Sequence, residues 1–103
     1  MSVVPAPVPY DPRWPALFEA ERIRLEAVLR DRSVGGIHHV GSTAVPGMPA
    51  KPVIDMVAGV RDLSDADPAE PALVRLGYER AVHRVDAVLF KRQPAASTRI
   101  IST

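Results

Sequence analysis

Most of the chain's capacity for chemistry lies between His38 and Val60, in the run IHHVGSTAVPGMPAKPVIDMVAGV that begins at Ile37. Gly41, Ser42 and Thr43 directly follow a short strand-like segment. Glycine allows the backbone to come close to an anion, and successive N–H groups in a turn can wrap phosphate oxygens. Ser42 and Thr43 add hydroxyl donors. By itself such a triplet is equally a turn with a serine or threonine cap, and local rules favour that simpler reading. The glycine spacings match neither the Walker A pattern nor the dinucleotide-binding pattern.

Asp55 shifts that balance. It stands within VIDMVAGV (53–60), the most apolar strand-like run of the chain, where an uncompensated carboxylate is costly. In a strand it points with Val53 and Val57 and away from Ile54 and Met56. A divalent cation, the ammonium of Lys51 or local backbone donors would each relieve it. The first two suit a polyphosphate site, with Asp55 on Mg2+ and with Lys51 or the amides of Gly41, Ser42 and Thr43 on phosphoryl oxygens. The alternative is an Asp55–Lys51 pair with a purely structural role. Glycine turn, lysine and buried aspartate together favour the functional reading.

The adjacent His38 and His39 face opposite sides of their strand, so at most one reaches a compact pocket. A structural imidazole is the simpler reading of either, and of His83, since no zinc-type spacing is present. Asp62, Asp65 and Asp67 belong to a turn and helix start, whereas Glu79 and Asp86 are spare carboxylates.

The elements that must hold this segment are legible around it. Residues 1–10 form an extended arm. Asp11 and Pro12 mark a helix start, and Trp14, Leu17, Phe18, Leu25, Val28 and Leu29 share one face over about five turns. Glu19, Glu21, Arg22, Arg24, Glu26 and Arg30 fill the remainder, and Gly35 and Gly36 close the segment. Ile37 to Val40 is a short strand. The apolar run 53–60 reads as a central strand covered on much of both faces. A second helix begins at Ser64 or Asp65 and ends near Leu76, with Gly77 after it, and Val85 to Lys91 forms a third strand. This order predicts an α/β (α+β) domain, a mixed sheet packed against helices.

Composition bounds the partners. A chain of 103 residues is one domain, 1–103, and 47% apolar with 24% charged residues is ordinary globular composition. Thirteen basic and twelve acidic residues nearly cancel, which gives no general pull toward nucleic acid or anionic lipid. The chain has no cysteine, so thiolate chemistry and disulfides are excluded. No run approaches the roughly 20 apolar residues of a membrane span, and the N-terminus carries no export signal, so a cytoplasmic location is expected.

Four stretches, YDPRW (10–14) with Phe18, HVGSTAVPG (39–47), AKPVIDM (50–56) and LGY (76–78), closely resemble the GrpB family, small proteins with a nucleotidyltransferase-like fold. The resemblance extends over about the first 80 residues. It implies that a Gly-Ser turn binds nucleotide phosphates and that two carboxylates, one residue apart on the next strand, bind the metal. Gly41 and Ser42 match the turn and Asp55 the first carboxylate, while Val57 stands in the second position. A valine cannot coordinate a cation, so a two-metal mechanism would need Asp86 or another neighbouring carboxylate. Many GrpB relatives similarly lack the second carboxylate, and some are fused to dephospho-coenzyme A kinase.

The resemblance therefore implies a metal-dependent nucleotidyltransferase or related phosphotransfer protein. Gly41, Ser42, Thr43 and Lys51 would hold the polyphosphate of a nucleotide, with Asp55 and Lys51 as the catalytic pair and Asp55 on Mg2+. The competing classes are a non-catalytic nucleotide- or phosphate-binding module and a scaffold or fusion-type domain without ligand. Relatives continue in a strand with a His-Leu-His element, where this chain reads FKRQPAASTRIIST, with Ile100 and Ile101 near the histidine positions. A domain shortened at its C-terminus, with an exposed sheet edge relieved in a homodimer, is the corresponding expectation.

Overall fold

The computed structural model describes residues 6–83, 87–92 and 96–102. Helix α1 (Trp14–Leu29) leads through a short 3-10 turn into strand β1 (Ser33–Val40). A second 3-10 turn (Ser42–Ala44) and an irregular loop precede β2 (Ile54–Val60). A third 3-10 turn (Leu63–Asp65) runs into α2 (Ala66–Arg75), followed by β3 (Tyr78–His83), β4 (Ala87–Arg92) and β5 (Ala96–Ser102). One mixed sheet of five strands results, in the order β1-β2-β5-β4-β3, with β2 and β5 parallel and the other neighbours antiparallel.

The helices cover one face of this sheet. Along β2, Ile54, Met56, Ala58 and Val60 are buried, while Asp55 and Val57 on the opposite side are half-buried. The register puts Ile37 beside Ala58 and His39 beside Met56, so both point to the helical side. From β5 and β4, Thr98, Ile100, Val88 and Phe90 complete this core with Trp14, Leu25 and Leu29 of α1 and Ala66, Ala69 and Leu73 of α2. The expectation that β2 is central holds, but helices cover it on one face only.

Helix α1 begins at Trp14, with Pro15 rather than Pro12 in its first turn. Asp11 still serves the start, since its carboxylate accepts from the Arg13 amide at 2.9 Å and from the Arg13 guanidinium. The buried stripe is Trp14, Glu21, Leu25 and Leu29, and Leu17, expected inside, is 52% exposed. Glu21, expected among the solvated charges, is 3% exposed. The helix ends before Gly35 and Gly36, which instead lie within β1 at positive φ beside an irregularity in its pairing with β2. At the start of the third 3-10 turn Asp62 and Asp65 form a reciprocal capping box, and Gly77 follows α2 at φ 96°.

Two strands lay beyond the sequence expectation: β3, and β5, which is an interior strand. Because β5 sits between β2 and β4, the free edges of the sheet are β1 and β3. Val88, Phe90 and Ile100, near the end of the chain, are all buried beneath the helices. An edge at which a second chain could pair would therefore be β1 or β3 rather than a strand near the C-terminus. Val85 and Asp86, and the side chains of His83 and Ile101, lie outside the described residues.

Candidate functional site

The loop between β1 and β2 folds back over the start of β2. Gly41, at φ 75°, breaks β1, and the amides of Ala44 and Val45 bond to the carbonyls of Gly41 and Ser42 at 3.1 Å each. Val45, Pro46, Gly47 and Met48 then form a turn closed by the Met48 amide on the Val45 carbonyl, with Gly47 at φ 78° where a type II turn requires it. The N-terminal arm clamps the far side, where Val8 and Ala50 exchange both backbone hydrogen bonds at 2.9 and 3.0 Å.

These pieces enclose a cleft of about 400 Å3 lined by Pro7, Ser42, Thr43, Pro49, Ala50, Lys51, Val53 and Asp55. Ser42 and Lys51 are exposed, and Asp55 is half-buried. Four of the five residues expected to form a site thus share one cleft. The fifth, Gly41, lies against it, and a Cβ there would fall 2.8 Å from Oδ2 of Asp55. The close approach that makes glycine necessary is thus to the carboxylate of the protein itself. Asp55 is not without a partner inside the fold.

Thr43 is 2% exposed and braces the turn. Its hydroxyl donates to the Val53 carbonyl at 2.9 Å, so the oxygen accepts from Nε2 of His39, also at 2.9 Å. This assigns the Nε2–H tautomer to a neutral His39, because a hydroxyl has one proton to give. The His39 ring stacks on Phe18 of α1 at 4.9 Å between centroids and 15° between planes. Burial lowers the pKa of His39 below its ordinary value, opposed by the negative charge of Asp55. His38 points away and bonds through Nε2 to the Gly35 carbonyl at 2.7 Å. Both histidines therefore have structural partners, and His39 meets the cleft through its bond to Thr43 and through the charge of Asp55.

A buried charge cluster behind α1 escaped the sequence reading. Glu21 accepts from the Tyr78 hydroxyl at 3.0 Å and from Arg92 at 2.6 Å, with Arg24 3.5 Å away. Burial pushes the Tyr78 phenol up to about 12. The signal was available in part, since position 21 lies seven residues after Trp14 and four before Leu25, within the buried stripe. Nothing local indicates Arg92.

Among the described residues no group of three or more histidine, cysteine, aspartate or glutamate side chains is arranged to hold a metal ion. None of their helices is long and apolar enough to cross a membrane. A Mg2+ ion is commonly held by one or two carboxylates together with substrate phosphates. Among the described residues lining the cleft Asp55 is the one carboxylate, which fits that shared mode and does not fit an all-protein metal cage.

Comparison with known proteins decides the family. The model of the GrpB protein family matches residues 6–101. The chain belongs to the GrpB family. A UPF0157 protein of Halalkalibacterium halodurans is 43% identical over 77 residues, covering 75% of this chain and 39% of the relative. The crystal structure of GrpB from Enterococcus faecalis superposes with a TM-score of 0.88 at 26% identity, over 94% of this chain and 61% of that one. This GrpB chain thus spans about two fifths of the first relative's length and about three fifths of the second's. A cytoplasmic RNA terminal U-transferase matches with a TM-score of 0.56 at 14% identity, over 86% of this chain and 28% of its own, and shares the fold alone. The GrpB domain is accordingly a mixed α/β unit on the nucleotidyltransferase-like plan.

Proposed function

We propose that the cleft between the 41–44 turn and β2 binds the polyphosphate of a nucleotide together with one Mg2+ ion. The observation that carries this reading is the convergence of Ser42, Lys51 and Asp55 on one cleft against a glycine turn where a Cβ would fall 2.8 Å from the Asp55 carboxylate. Ser42 offers a hydroxyl to a phosphoryl oxygen, and the exposed ammonium of Lys51 offsets phosphate charge. Thr43 acts through its backbone and by holding the turn, since its hydroxyl is committed to Val53. Asp55 is the protein's ligand to the cation, which when bound would neutralise phosphoryl charge and orient the chain of phosphates.

Nucleotidyl transfer is the second reading, favoured by the fold shared with a terminal U-transferase. In that reading Lys51 and Asp55 are the catalytic pair, and a hydroxyl attacks the α-phosphorus while the site steadies the departing pyrophosphate. Val57, two residues after Asp55 on β2, favours binding without efficient turnover, because it gives the cation no second carboxylate.

Calorimetric titration with Mg2+ or Mn2+ and nucleoside triphosphates tests the first reading. Asp55→Asn should lose the metal-dependent part of binding while folding normally, and Lys51→Ala should weaken nucleotide binding with or without metal. If Asp55 and Lys51 form only a structural pair, both variants instead lose thermal stability and the parent binds nothing. Unchanged binding by Asp55→Asn also overturns the proposal. Transfer of α-phosphate label to an acceptor separates the enzyme from the binding module.

A further inference from the structure

At the end of the β1–β2 ladder remote from the nucleotide cleft, three arginines converge. Arg30 and Arg32 leave the C-terminal end of α1, and Arg61 follows β2. Together with Asp65 they line a separate cleft of about 350 Å3. The register pairs Val40 with Asp55 at one end and Ser33 with Val60 at the other. The two clefts are therefore separated along the strand by roughly 17–20 Å at about 3.3 Å per residue.

Of the other arginines whose side chains are described, all but the exposed Arg75 at the end of α2 are paired. Arg13, Arg22, Arg24, Arg80 and Arg92 are each ion-paired to a carboxylate. Arg30, Arg32 and Arg61 have no carboxylate within ion-pair distance among the described residues. Asp65, the carboxylate lining this cleft, turns to the amide of Asp62 in the capping box. Like charges facing one cleft repel, and Asp65, held in the capping box beyond ion-pair distance of the three, offsets that repulsion only in part.

The backbone also pays to make it. Arg30 is the single non-glycine residue at positive φ among those described, with φ 45° and ψ −122°. Its Nε donates to the Ala27 carbonyl at 3.0 Å, which fixes the stem of the side chain. A helix C-terminus attracts one basic residue through its dipole, and that accounts for Arg30 or Arg32. It does not account for Arg61, which belongs to a strand end.

We propose that Arg30, Arg32 and Arg61 form a second anion site, which takes a single dianionic phosphate group and is independent of the nucleotide cleft. Guanidinium groups suit this ligand because each presents a planar fork of donors matched to phosphate oxygens. Free phosphate and a small phosphomonoester share the chemistry.

The test is an NMR titration of the arginine Nε–H resonances of the whole chain with inorganic phosphate and, separately, with glycerol phosphate. Sodium chloride at matched ionic strength is the control. Saturable shifts of Arg30, Arg32 and Arg61 are expected with phosphate and absent with chloride. Saturation by both phosphates assigns an open site, and saturation by inorganic phosphate alone assigns a closed one. Arg61→Gln, an exposed substitution, should raise the dissociation constant for this site about tenfold without lowering Tm. Lys51→Ala should leave it unchanged, which keeps this result separate from that of the nucleotide cleft. Shifts that chloride reproduces, no saturation, or full affinity in Arg61→Gln overturn the proposal.

Discussion

Gly41 and Asp55 touch so closely that the space for a Cβ on one is taken by the carboxylate of the other, 2.8 Å away. Asp55 stands across the ladder from Val40, so the chain turns at Gly41 directly over that carboxylate. Two constraints therefore coincide at one residue, a left-handed backbone and an excluded side chain. Gly41→Ala should lower stability by about 2–4 kcal/mol, summing a strained φ and an overpacked contact. Urea unfolding measures it. A neutral substitution would show that the turn can relax away from Asp55, and with it the geometry of the proposed site.

His39 gives a pH dependence of known sign. Burial against Phe18 favours the neutral imidazole in the folded state, so the folded pKa lies below the unfolded value of about 6.5. As the pH falls below about 6.5 the unfolded chain binds the proton first, and the stability His39 contributes at neutral pH is lost. NMR titration of the ring should give a midpoint below the ordinary histidine range. In His39→Gln the fall in stability between pH 7 and pH 5 should be shallower. A midpoint above the ordinary range would contradict the stack and hydrogen bond described for this ring.

The Glu21–Arg92 pair should show strong coupling. Its side chains are 4% and 23% exposed, so removing one charge leaves the other poorly solvated. Glu21→Gln should cost about 2–4 kcal/mol, below the range for a fully buried pair because Arg92 reaches some solvent. The double variant Glu21→Gln with Arg92→Met should cost clearly less than the two single changes added together. Additive losses would mean that the two residues act separately.

Trp14 is the sole tryptophan and is 3% exposed, in edge contact with Tyr10 at 5.2 Å. Its fluorescence therefore reports the packing of α1 on the sheet without interference. Trp14→Ala should cost about 3–5 kcal/mol, enough to unfold most of a domain this small. Rapid quenching of Trp14 emission by iodide in the native protein would be incompatible with its place in the core.

What the sequence revealed follows the range over which each signal acts. The central strand, the second helix with Gly77 behind it and the opposed faces of His38 and His39 come from periodicity and turn chemistry within a few residues, whereas the expected cap at Ser64 or Asp65 is taken by Asp62 at the 3-10 turn before the helix. The gathering of Ser42, Thr43, Lys51 and Asp55 into one cleft was legible for the same reason, because one loop and the start of the strand that follows carry them. Three features were hidden. The role of Thr43 depends on His39 and Val53 together, so a hydroxyl that looks free in sequence is already committed. Glu21 sits inside because Arg92 and Tyr78 meet it from remote strands. Strand β5 is rich in polar and small residues and owes its interior place to its neighbours rather than to its own pattern.

The place of β5 has a consequence for how the chain reaches this fold. Strands β1 and β2 can pair as soon as both exist, and so can β3 and β4, but no ladder joins β2 to β4. Each pair must wait with an unsatisfied inner edge until β5, the latest of the described strands in sequence, slides between them. Partners such as Met56 and Thr98 lie far apart along the chain, so loop closure comes before any reward from that pairing. During synthesis the waiting edges of β2 and β4 are the most apolar in the protein and are open to pairing with other chains. Completion of the sheet thus depends on the seven residues of β5, the latest of its described strands in sequence.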